Sequence, residues 1–212
     1  MFELNPNLEV KTEIFLESPI FTIDNFYKNP DEVHDYLFNR EIPLWKMDEK
    51  PSYNSIHFFD RRFEKMDDRL TPVLGFLSYL CNQDAASHHI VTNVQRFFRH
   101  DFNDYKNCYW WPHQDGGYNG IVYFNKGDNT CGTNLYSVIK DQDEMVPEHY
   151  RPWRPKEDFK ILKTLEPEYN RLVFFDGLKF MHGANFPNDL YFDEEYRKNQ
   201  VFFFMEDDED DD

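Results

Sequence analysis

The chain has 212 residues, a formal net charge of −17, and a composition that is 40% hydrophobic and 18% aromatic. This apolar content excludes global disorder, and the length suits one domain with a full core. The acidic balance argues against a general grip on nucleic acid or on anionic membranes. No apolar run approaches the roughly 20 residues needed to cross a bilayer.

In chain order, the first segment, Met1 to Pro6, has neither a basic region nor the apolar stretch of a secretory signal. Pro19 to Phe26 reads as a strand. Asn29 is placed as the N-cap of a helix, with Pro30 at its first position and Asp31 and Glu32 in its first turn. Leu37 and Phe38 would bury one face of that helix. A second helix is predicted from about Asp68 to Leu80, where Leu70, Val73, Leu74, Leu77 and Leu80 recur at helical spacing. Residues 1–90 therefore read as the supporting half of a single domain spanning 1–205, with 91–205 as its core. No linker or repeat divides the chain. Cys81, Cys108 and Cys131 are odd in number and widely spaced, which suggests neither a zinc site nor a disulfide framework. A reducing, cytoplasmic setting fits. Glu206 to Asp212 are seven consecutive acids, read as a solvated, disordered tail rather than a binding motif.

The chemistry is concentrated downstream. His113-Gln114-Asp115 sets an imidazole and a carboxylate two residues apart, so that in an extended segment both project to one side. Such a triplet is expected about once by chance in this composition, so its surroundings decide its weight. Ile121 to Asn125 reads as a strand, a turn follows, and Thr133 to Ser137 reads as another. Arg171 to Asp176 is a strand ending in Asp-Gly, a turn signal, with His182 on the returning segment. Asn199 to Phe204 is a strand preceded by Arg197. Two imidazoles and one carboxylate are the ligand set of a non-haem Fe(II) oxygenase, although Zn, Mn or Ni accept the same donors.

The ordered run of His113-Gln114-Asp115, Ile121 to Asn125, Cys131 to Tyr136, Asn170 to Phe175, His182, and Arg197 with its apolar strand resembles the 2-oxoglutarate and Fe(II)-dependent dioxygenase superfamily. Within it, the prolyl 4-hydroxylase-like branch is the nearest. The resemblance covers about half of the chain, from near Val91 to Met205. It implies a mainly β fold, a double-stranded β-helix or jelly roll with bracing N-terminal helices and the iron at its mouth. It also implies that His113, Asp115 and His182 hold Fe(II), that Arg197 binds the far carboxylate of 2-oxoglutarate, and that the Tyr123 hydroxyl bonds the same carboxylate. Arg suits this role because its planar fork pairs with a carboxylate and keeps its charge when buried. The interval from His182 to Arg197 is longer than the family's usual one, which leaves Lys198 and Arg171 as rivals. The implied reaction consumes dioxygen, decarboxylates 2-oxoglutarate to succinate and hydroxylates a protein side chain, a nucleotide or a small metabolite.

Two other readings stay open: a cupin-like site for another metal, and a catalytically silent binding or assembly protein built on the same fold. Five other histidines, His34, His57, His88, His89 and His100, read as ordinary loop or part-buried residues. Tyr109-Trp110-Trp111 is read as core packing, with a wall of a substrate pocket as the alternative for one of its rings. The stretch 140–156, with three prolines, is an irregular insertion or a lid over the site.

Overall fold

The computed structural model describes residues 1–39, 59–64, 68–83, 89–95, 106–127, 131–140, 153–189 and 197–205. Twelve named strands and two α-helices lie among them: β1 (Glu9–Phe15), β2 (Ser18–Asp24), α1 (Pro30–Phe38), β3 (Phe59–Glu64), α2 (Thr71–Cys81), β4 (His89–Gln95), β5 (Cys108–Trp110), β6 (Gly117–Tyr123), β7 (Thr133–Val138), β8 (Trp153–Pro155), β9 (Phe159–Leu165), β10 (Leu172–Asp176), β11 (Met181–Ala184) and β12 (Arg197–Met205). The protein is mainly β, and every named pairing is antiparallel. A seven-stranded sheet runs β1-β2-β10-β6-β12-β4-β3, and a three-stranded sheet runs β11-β7-β9.

Period-2 alternation divides the larger sheet into two differently covered faces. On one, Phe21, Ile23, Val122, Leu172, Phe174, Phe202 and Phe204 pack with Val33 and Leu37 of α1 and with Val73, Leu74 and Leu77 of α2. On the other, Ile20, Ile121, Tyr123, Val173, Phe175 and Val201 meet Leu135 of β7, Leu165 of β9 and Phe180. The larger sheet is thus the middle layer. Helices cover one side and the small sheet covers the other.

The predicted helices form, with local differences. Asp68–Leu70 is a single 3-10 turn that leads into α2 rather than part of it. Asn29 occupies the N-cap of α1 but makes no side-chain cap bond. Its Nδ2 instead donates to Glu32 Oε2 at 3.4 Å. The strand predicted over Ile121 to Asn125 begins earlier and ends at Tyr123, and the Asn125 side chain accepts from the Lys198 backbone N–H at 2.7 Å.

Asn170 joins several elements of the middle layer. It has φ of 62°, a left-handed backbone that Asn tolerates better than most residues. Its side chain accepts from Tyr27 N–H at 2.8 Å and donates to Tyr27 O at 2.9 Å, while its own N–H donates to Tyr123 O. Cys81, Cys108 and Cys131 form no disulfide. Among the described residues no helix is long and apolar enough to cross a membrane. The acidic tail, residues 141–152 of the insertion, and His57, His88 and His100 lie outside the described residues.

Candidate metal centre

His113 and His182 meet through their backbones. Each donates its N–H to the other's carbonyl, at 2.9 and 2.7 Å, as an antiparallel bridge at the open side of β11. A hydrogen-bonded pair of this kind sends both side chains to the same side. The rings lie 4.4 Å apart, centroid to centroid. Asp115 is placed independently: its N–H donates to Gly177 O at 3.1 Å, so the Asp-Gly turn after β10 positions the carboxylate. That turn is itself pinned, since Asp176 Oδ1 accepts from the N–H groups of Leu178 and Lys179, and Gln114 Nε2 donates to Leu178 O. A β-carbon on Gly177 would lie 2.6 Å from Asn119 Nδ2 and 2.8 Å from Gly117 O, so only glycine fits without displacement.

The donor atoms of His113, Asp115 and His182 all lie within 4.8 Å of one another. Asp115 Oδ2 is 3.6 Å from His113 Nε2 and 3.3 Å from His182 Nε2. The tautomers follow from the other ring nitrogens. His113 Nδ1 lies 2.6 Å from Trp111 O and His182 Nδ1 lies 3.0 Å from Phe180 O. A carbonyl only accepts, so each Nδ1 carries a proton, and a neutral ring then presents its Nε2 lone pair to the site. Two nitrogen lone pairs and a carboxylate oxygen therefore converge.

Burial pushes the Asp115 carboxyl upward, but when the imidazoles are protonated, hydrogen bonds and charge from His113 and His182 outweigh burial and hold the group well below the usual carboxylate range. Burial, and then the neighbouring His113, lowers the pKa of His182 against the pull of Asp115. His182, 4% exposed, thus favours the neutral form that binds metal. Donor set and spacing fit a divalent cation. Cis ligands at about 2.1 Å from an octahedral ion sit about 3.0 Å apart, so the two measured separations need to close by only a few tenths of an ångström.

Trp111 holds its carbonyl toward His113 from a left-handed backbone, φ 43°, a conformation that disfavours a bulky residue. Its ring is half-buried and stands edge-on to His113, with centroids 6.4 Å apart. Trp110 is buried core and Tyr109 packs on Tyr136, so the three neighbouring aromatics take different roles.

Arg197 and Tyr123 share the face of the larger sheet that carries the site. Asn199 pairs with Tyr123 and Val201 with Ile121, which puts the alternate residue Arg197 on that face and Lys198 on the opposite one. Arg197 is 3% exposed and donates from Nε to Cys131 O and from Nη2 to Gly132 O, both at 3.1 Å. Its guanidinium carbon lies 5.8 Å from the centre of the Tyr123 ring. The Tyr123 hydroxyl is 2.8 Å from Thr133 Oγ1, and burial keeps it protonated. The two rivals are engaged elsewhere. Arg171 pairs with Asp24 at 2.5 Å, and Lys198 Nζ lies 3.4 Å from His34 Nε2.

Asn119, Thr133, Gly177 and the Trp111 carbonyl were not anticipated. A signal for Asn119 existed: on a period of two it falls on the same face as Ile121 and Tyr123.

No family model matches the chain, and no curated protein does. Among solved structures it is similar to a Shewanella oneidensis protein described as a "Putative oxygenase", with a TM-score of 0.47, 11% identity, and coverage of 88% of this chain and 82% of that one. At that level of likeness neither fold nor chemistry transfers.

Proposed function

We propose that the chain is an Fe(II)- and 2-oxoglutarate-dependent dioxygenase that hydroxylates a substrate, on a double-stranded β-helix core and within the prolyl 4-hydroxylase-like branch. The observation that carries the reading is the convergence of two Nε2 lone pairs with the Asp115 carboxylate, each imidazole fixed by a carbonyl two residues before it. Such outer bonds orient metal-binding histidines and raise their basicity. His113, Asp115 and His182 would hold Fe(II), which with 2-oxoglutarate and dioxygen supplies the oxidising chemistry.

The chain's own residues do the rest. Arg197, buried beside the Tyr123 ring and at its hydroxyl's end of β6, offers a charged fork to the far carboxylate of 2-oxoglutarate. Ile121, Val201 and Leu135 line the layer between the sheets and exclude water from it. The half-buried Trp111 ring beside His113 forms part of the wall a substrate meets.

Anaerobic addition of Fe(II) and then 2-oxoglutarate should develop the weak visible charge-transfer band of a chelated keto acid, and admission of dioxygen should yield succinate. His113→Ala should abolish the band. No Fe(II) uptake, or uptake unchanged in His113→Ala and Asp115→Ala, refutes the reading.

A second reading has one observation in its favour. Ligands at about 2.0 Å on a tetrahedral ion are about 3.3 Å apart, which matches the His182 to Asp115 separation and suits zinc. Metal analysis of protein purified from cells, followed by the succinate assay, separates the two.

A further inference from the structure

We propose that Asn119 is a positioning residue of the metal centre, holding the Asp115 carboxylate so that it offers the ion one fixed oxygen. This rests on the metal-site reading above. Asn119 lies on β6 between Phe175 of β10 and Phe203 of β12, and is 1% exposed. Its Nδ2 is 2.5 Å from Asp115 Oδ2 and 3.0 Å from His182 Nε2. Both contacts are acceptors, so the two hydrogens of one amide group serve the centre of a cluster of lone pairs. The reverse orientation would aim an oxygen at a carboxylate and an imine nitrogen.

This orientation leaves Asn119 Oδ1 buried without a hydrogen-bond partner among the described residues. An unpaired buried amide oxygen is destabilising. An Asn serving the fold alone would satisfy both ends of its amide. Here one end is left unpaired while the other is aimed at the metal-binding atoms. Gly177 packs against the amide and limits its movement. With an ion in place, the His182 Nε2 lone pair goes to the metal, and the bond from Asn119 to Asp115 remains to keep the carboxylate from swinging into a two-oxygen grip. Hydrogen-bonded partners of ligating carboxylates influence metal affinity in this way.

The test uses Co(II), whose visible bands report its coordination, on the full chain. Asn119→Leu, which keeps the branched shape with bulkier methyl groups and loses the donor, and Asn119→Asp, which loses the donor and repels Asp115, should each weaken Co(II) binding in equilibrium dialysis about ten- to hundredfold. Both should also change the Co(II) bands while leaving the far-UV circular dichroism intact. Asn119→Ser, smaller and too short to reach Asp115, should show the same loss, and it carries the comparison if the Leu variant does not fold. Unchanged affinity and bands in the folded variants overturn the inference and leave the metal site standing. Tighter binding by Asn119→Asp also overturns it, because that would make residue 119 a direct ligand. Failure of the wild-type protein to bind Co(II) removes the metal-site reading itself.

Discussion

Replacing Gly177 with Ala tests how the Asp-Gly turn and the carboxylate depend on each other. The added β-carbon would sit 2.6 Å from Asn119 Nδ2 and 2.8 Å from Gly117 O, where ordinary contact needs about 3.4 Å. Both obstacles belong to β6, which is held between β10 and β12, so the turn must be the part that moves, by roughly 0.6 to 0.8 Å. A shift of that size stretches the 3.1 Å bond from Asp115 N–H to Gly177 O past useful length. Overpacking costs about 1 to 3 kcal/mol. The lost hydrogen bond adds about 1 kcal/mol. For a chain of this length the combined loss lowers Tm by about 5 to 15 °C. Because Asp115 is displaced, Co(II) affinity should fall about tenfold or more as well. Urea unfolding followed by circular dichroism, with Co(II) dialysis on the same samples, measures both effects. Leu178→Ala, at a position 64% exposed in the same turn, should stay within about 0.5 kcal/mol of wild type. A Gly177→Ala protein with wild-type urea midpoint and wild-type metal affinity would refute the coupling.

Arg197→Met should weaken 2-oxoglutarate binding to the Fe(II)-loaded protein by roughly 2 to 5 kcal/mol, or about thirty- to several-thousand-fold, whereas Lys198→Met and Arg171→Met should stay within about twofold. Anaerobic titration decides it, and the reverse pattern would move the role to a rival. Burial pushes the Cys131 thiol up to about 12, so native protein at pH 8 should not be alkylated there by iodoacetamide, while urea-unfolded protein should be, as read by mass spectrometry. His182 has a folded pKa below its unfolded value near 6.5, so the unfolded chain takes up the proton first as pH falls. Metal-free protein should therefore lose stability from pH 7 to pH 5, and His182→Gln should flatten that slope in urea titrations. An unchanged slope would show that His182 protonates as readily when folded.

The central strands were legible because they are buried and their apolar pattern has no other use. Ile121 to Tyr123, Leu172 to Phe175 and Val201 to Phe204 all sit in the middle layer. β1 escaped notice for the opposite reason: as an edge strand it is exposed along nearly its whole length, so its side chains show no buried face. β9 was missed because its alternation is broken by Lys160 and Lys163 and by a register shift against β7. In the site, residue types and chain order led to His113, Asp115, His182, Tyr123 and Arg197, and strand parity then separated Arg197 from Lys198. The carbonyl of Trp111 had no sequence signal, since its role depends on a backbone angle rather than a side chain. Asn119 was passed over because the strand predicted from Ile121 left it outside, whereas β6 begins at Gly117.

The three candidate ligands do not come from one layer. Asp115 enters β6 of the larger sheet, His182 lies on β11 of the smaller, and His113 bridges to β11. An ion bound by all three would act as a cross-link between the layers, closing the chain from Asp115 to His182 into a loop much as a disulfide does. Its affinity would add directly to the work needed to part the sheets. Without it, their attachment at this end depends on a few apolar side chains around Phe175 and Phe180, on the bond from Asn119 to His182 and on the paired backbones of the two histidines. Amide exchange in β7 and β11 should then slow as metal is supplied, while the helix-covered face, which has its own core, keeps its pace.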